Sequence, residues 1–120
     1  KTSLRRLKNC ANLKRLCLSA TNIESDDLKE LGQLINLKHV DLSHTQTTGR
    51  GLSELQGLSQ LEDLVVTHLD LTDSNLNFLT NFKNLNKLTA NSTKFDDDHY
   101  RVIGSLTSLK RLDLEDVRMN

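Results

Sequence analysis

The 120-residue chain reads as an α/β solenoid, a right-handed coil of strand–helix units with one parallel sheet on its inner face. Three observations predict it. An apolar pattern recurs every 24 residues without insertion or deletion. Within each unit the pattern switches from strand alternation to helical spacing. And 36% hydrophobic residues with 3% aromatics make a thin core, which suffices where each unit buries only a stripe against its neighbours.

The units open at Leu13, Leu37, Leu61, Leu85 and Leu109, so the first column is invariantly Leu. The fourth column is Leu16, Val40, Leu64, Leu88 and Leu112; the sixth is Leu18, Leu42, Val66, Ala90 and Leu114. Polar residues between them give a short strand with one buried face. About five such strands, stacked at roughly 4.8 Å, span a sheet about 20–25 Å wide. The eleventh column is Ile23, Thr47, Leu71, Phe95 and Met119, apolar except for the threonine.

The second half of each unit changes period. Leu28, Leu31, Leu34 and Leu52, Leu55, Leu58 stand three apart, as do Leu76, Leu79, Phe82 and Tyr100, Ile103, Leu106. That stripe predicts a short α or 3₁₀ helix on the outer face. Ser25-Asp26-Asp27, Thr72-Asp73-Ser74 and Asp96-Asp97-Asp98 supply oxygens that cap a helix start. Gly49-Arg50-Gly51 predicts a looser start in the second unit. Leu4, Leu7 and Cys10 repeat the stripe at the beginning, so residues 1–12 read as a helix with Cys10 buried and inert.

These columns resemble the leucine-rich repeat consensus LxxLxLxxTxIxxxxLxxLxxLxx, in its 24-residue, threonine-type form. The ninth position of that family, usually Asn or Cys, is here Thr21, Thr45, Leu69, Thr93 and Val117. Threonine hydroxyls can satisfy backbone groups in the turn, whereas Leu69 and Val117 interrupt any continuous polar ladder. The resemblance covers one array over residues 1–120. It comprises a half repeat 1–12, full repeats 13–36, 37–60, 61–84 and 85–108, and a half repeat 109–120. Neither end carries a cap, and such arrays need polar terminal units. The stretch is therefore read as part of a longer chain, with further repeats, a cap or a partner chain covering its C-terminal strand edge.

Composition removes several functions. The 16 basic and 16 acidic residues cancel, which argues against nucleic acid. No apolar run is long enough to span a membrane. Two cysteines, Cys10 and Cys17, form neither a disulfide framework nor a zinc site, and favour a reducing intracellular compartment. Asn91-Ser92-Thr93 fits a glycosylation sequon, but one chance match is expected in a chain this rich in those residues. Phosphate-loop, dinucleotide, zincin and nucleophile-elbow motifs are missing, so neither an enzyme nor a cofactor is expected.

Side chains pointing away from the core form the candidate surface. The third column is Arg15, His39, Asp63, Lys87 and Arg111; the fifth is Cys17, Asp41, Val65, Thr89 and Asp113. This concave face is basic toward its start and acidic toward its last strand, and suits a protein of complementary mixed charge. Its lack of aromatics counts against a tight site. His39, Asp41 and Asp63, or His44 and His68, have ligand chemistry for a metal. Any polar sheet face yields such pairs, and no metal is expected. Asp96-Asp97-Asp98 lacks the alternation and glycine of a calcium loop. Cys17 has no base and orienter around it to act as a nucleophile.

The family resemblance implies a non-catalytic scaffold that binds another protein across the concave sheet. Two other readings stand beside it. One is a structural or docking subunit that uses its helical face or open end. The other is the recognition arm of a larger enzyme or effector.

Overall fold

The computed structural model describes residues 4–119. Lys1–Ser3 of the predicted opening helix, Asn120 of the closing half repeat and the side chain of Met119 lie outside the described residues. Strands β1 (Arg15–Cys17), β2 (His39–Asp41), β3 (Asp63–Val65), β4 (Lys87–Thr89) and β6 (Arg111–Asp113) form one five-stranded sheet in that order. Every pair is parallel and aligned column on column, Arg15 opposite His39, then Asp63, Lys87 and Arg111. Each strand begins at the third column, two residues after the leucine that opens the unit. A second, two-stranded parallel sheet pairs β5 (Lys94–Phe95) with β7 (Arg118–Met119).

The core runs behind the sheet as the columns require. Leu37, Leu61 and Leu85 of the first column, Val40, Leu64 and Leu88 of the fourth, and Leu42, Val66 and Ala90 of the sixth are buried. Each large aliphatic among them contributes roughly 1.5–3 kcal/mol relative to an exposed position. At the ends the same columns lie nearer the surface, and Leu112 is 39% exposed. Thr47, the polar exception in the eleventh column, is nonetheless buried. Its hydroxyl lies 2.9 Å from that of Thr45, so the misfit carries its own hydrogen bond. The ninth-column hydroxyls of Thr21, Thr45 and Thr93 donate to Leu18, Leu42 and Ala90 carbonyls at 2.6, 2.7 and 2.8 Å. Leu69 breaks that row and packs into the core instead.

Sequence gave no sign of how each strand is left. The eighth residue of every unit is left-handed: Ala20, His44, His68, Ser92 and Asp116 have φ between 54° and 63°, and none is glycine. The turn keeps the ladder going. The Ala20, His44, His68 and Ser92 amides donate to the seventh-column carbonyls of the next unit, at 2.8–3.0 Å. Seventh-column side chains assist, Ser43 Oγ accepting from the Thr67 amide and Asn91 Oδ1 from the Glu115 amide. The last column forms a further row, Asn36 Nδ2 donating to the Ala11 carbonyl and Gln60 Nε2 to Asn36 Oδ1.

The outer face carries short helices, with four corrections to the sequence reading. The opening segment is a single 3₁₀ turn, Leu4–Leu7, and Cys10 beyond it is exposed rather than buried. With one side of that turn open to solvent, Leu4 alone of its stripe is fully buried, and Leu7 packs half-buried against the core. In the first full unit Glu24 is the cap, exchanging bonds with Asp27, and Ser25 stands inside the 3₁₀ turn that leads into α1 (Leu28–Leu31). The glycine-containing start of α2 (Gly49–Leu52) is not loose. Thr48 Oγ1 accepts from the Gly51 amide, and Gly51 presses against Ser25 so closely that a Cβ would overlap it. Thr72-Asp73-Ser74 starts no helix of its own unit: Asp73 Oδ1 instead accepts from the Arg50 amide in the first turn of α2, Asp70 turns the chain by accepting from the Thr72 amide and hydroxyl, and the 3₁₀ helix begins only at Asn77, after left-handed Leu76. Asp96 caps α3 (Asp97–Gly104) as its position suggests, accepting from the His99 amide.

Candidate functional site

The parallel register sets the site. Third- and fifth-column side chains alternate with the buried fourth column, so all of them leave the sheet on the side opposite the core. The middle of this face is half-buried (His39, Asp41, Asp63, Val65, Lys87 and Thr89), while Arg15, Cys17 and Arg111 at its ends are exposed. All ten predicted residues therefore share one surface, with Asp113 half-buried on the last strand.

They do not form one network. His39 Nδ1 lies 3.2 Å from Asp63 Oδ2 across β2 and β3, as a hydrogen bond or ion pair. Cys17 Sγ donates weakly to Asp41 Oδ2 at 3.8 Å, and Asp41 Oδ1 accepts from the Ser43 amide at 2.9 Å. Arg111 Nε pairs with Asp113 Oδ2 at 3.3 Å on its own strand. Lys38 and Glu62, in the neighbouring second column, approach to 3.8 Å. These pairs are solvent-screened, each worth roughly 0–1 kcal/mol, and orient side chains more than they stabilise the fold. The β1–β3 part of the face is a groove of about 170 Å³. A wider open depression, about 540 Å³, lies along the rim, with Asp70 and Asp116 balancing Lys94 and Arg118.

The candidate chemistries separate on geometry. His44 and His68 stack face to face, ring centroids 4.3 Å apart and planes 27° from parallel. Imidazoles packed by their faces do not aim their nitrogens at one point, as a shared metal requires. Among the described residues no three His, Cys, Asp or Glu side chains converge as metal ligands. In the acidic stretch, Asp96 is occupied in capping and Asp98 holds Arg101 at 2.7 Å. Cys17 is exposed and faces only a carboxylate.

One polar residue that sequence reasoning missed is His99, almost wholly buried. Its Nδ1 accepts from the Asp96 amide at 3.1 Å, leaving Nε2–H to donate to the Ser74 carbonyl at 2.6 Å in the preceding unit. This assigns the neutral Nε2–H tautomer and ties α3 to its neighbour. The available signal was its place three residues after a capping aspartate.

No family model and no curated protein matches this sequence. Solved structures do resemble it. An internalin from Listeria monocytogenes superposes over 99% of the chain with a TM-score of 0.84 and 25% identity. A chain of the mouse RP105/MD-1 complex matches 92% of it (TM-score 0.64, 21% identity). The plant peptide hormone receptor RGFR1, solved with RGF2, matches 96% (TM-score 0.55, 21% identity). The chain spans 33%, 19% and 22% of these neighbours' own lengths. The protein has the leucine-rich repeat fold, an α/β solenoid with a five-stranded parallel sheet on one face and short helices on the other.

Proposed function

We propose that this array is a non-catalytic scaffold that binds another protein across its concave sheet, through Arg15, Cys17, His39, Asp41, Asp63, Val65, Lys87, Thr89, Arg111 and Asp113. The observation that carries this reading is the half-buried, polar centre of the sheet face. There His39 and Asp63 are already oriented against each other at 3.2 Å. A pre-oriented polar surface on a rigid sheet loses little side-chain entropy when a partner arrives. Two resembling structures were solved with a partner named beside them, MD-1 and the peptide RGF2, which supports a binding role for the fold. The three ninth-column threonine bonds support the threonine-type form of the 24-residue repeat.

The test is partner recovery by the wild-type protein against His39→Ala/Asp63→Ala/Lys87→Ala. The expected result is recovery reduced at least about tenfold, the effect of losing about 1.4 kcal/mol of binding. Undiminished recovery, with the variant's circular dichroism intact, contradicts the concave reading.

A second reading, docking through the open C-terminal end, is favoured by Leu112, exposed on edge strand β6. Further repeats, a cap or a partner chain would pair with that edge.

A further inference from the structure

We propose that the groove over β1, β2 and β3 recognises an arginine side chain of the partner protein, an inference that rests on the concave-face reading. Two carboxylates mark the groove. Asp63 is bound through Oδ2 by His39, yet its Oδ1 is shut off from solvent and has no hydrogen-bond partner, alone among the described buried side-chain atoms. Asp41 receives only the Ser43 amide and the weak Cys17 thiol. Among the described residues no arginine or lysine is ion-paired to either: Arg15, which lines the groove, and Lys87, opposite Asp63 on β4, make no such bond. A half-buried carboxylate with an unbonded, dry oxygen is unfavourable, and the protein leaves it so beside the groove.

The geometry selects the donor. Asp41 and Asp63 are diagonal neighbours, fifth column on β2 and third column on β3. Diagonal residues on one sheet face stand roughly 7–8 Å apart. A guanidinium carries five N–H donors in one plane and serves acceptors on two of its edges at once, whereas an ammonium is a compact point charge. The terminal torsion of an aspartate is broad, so Asp63 can turn Oδ1 into the groove while His39 keeps a carboxylate oxygen. Val65 and Cys17, in the same groove, give apolar flanks to the arginine's methylene stem.

The test is a ¹⁵N–¹H titration of the full chain with N-acetyl-arginine methylamide at about 10–50 mM, where a single charge-assisted contact saturates. Saturating shifts are expected at Cys17, Asp41, Asp63 and Val65. N-acetyl-lysine methylamide should bind at least about threefold more weakly. The isosteric variant Asp41→Asn/Asp63→Asn, which keeps the Ser43 and His39 bonds, should raise the apparent Kd about tenfold or more. Shifts scattered equally over other acidic sites such as Asp96–Asp98, equal binding of the lysine compound, or an unchanged variant each overturn the arginine site. If the site titrates as expected while partner recovery ignores the concave substitutions, the concave reading fails instead. If recovery is lost on substitution and no saturating shift appears, only the arginine site fails.

Discussion

At the scale of single residues, the eighth column bears the clearest strain. An L-residue held left-handed sets its Cβ against the following carbonyl, at a cost of roughly 1–2 kcal/mol. Ala20, on the exposed rim, has φ 58° and gains nothing from its methyl group in return. Ala20→Gly is expected to stabilise the protein by about 0.5–1 kcal/mol, after the glycine's larger unfolded-state entropy is subtracted. Ala20→Val is expected to destabilise it by at least as much; urea unfolding measures both. Asp70 is a second local case. The Thr72 hydroxyl, then the Thr72 amide, and finally nearby Lys94 hold its carboxyl below the usual carboxylate range, against a small opposing effect of burial. The sign follows from that depression. The stability it contributes is present above the unfolded value and lost as pH falls through the folded one. Thr72→Val should move the Asp70 titration upward, read by carboxylate ¹³C NMR, and leave less acid-side stability to lose.

Between elements, close approach is set by small residues. A Cβ on Gly32, after α1, would fall against the Glu54 carbonyl oxygen of the next unit. That neighbour is backbone and cannot turn aside, so Gly32→Ala should cost roughly 1–3 kcal/mol. Gly104, at the end of α3, has open space around its Cβ position. Gly104→Ala should gain about 0.5–1 kcal/mol of helix propensity. Paired thermal melts check the contrast, and equal shifts of the same sign would refute it. The elements themselves were legible because their signals are periodic: column leucines placed the strands, and the three-residue spacing placed the helices. Helix starts were less legible. Capping oxygens occur at several adjacent positions, and only the three-dimensional turn selects among them. Hence Glu24 caps where Ser25 was read, Thr48 caps a start that Gly49-Arg50-Gly51 made look loose, and Asp70 diverts the chain where Thr72–Ser74 were expected to start a helix. Cys10 was misplaced for a related reason: a three-residue stripe fixes a face only where the helix continues, and this one stops at Leu7.

For the whole molecule, aligned register turns a column in the sequence into a row on a surface. This is why the membership of the concave face could be read without coordinates. Contacts within it could not. The bond from His39 to Asp63, the groove over β1–β3 and the left-handed eighth column depend on side-chain rotamers and on a turn whose residues (Ala, His, His, Ser, Asp) share no sequence signature. The same registry leaves β1 and β6 as the edges of the described sheet, so the ends, the concave face and the helical face are the surfaces open to partners. Side-chain hydroxyl-radical footprinting of the protein, free and bound to its recovered partner, separates them most directly. The account predicts protection at Cys17, His39 and Val65, with Ile35 and Tyr100 on the rest of the coil unchanged. Protection confined to Ile35, Tyr100 and the exposed Leu112, with the concave residues as reactive as in the free protein, would contradict it.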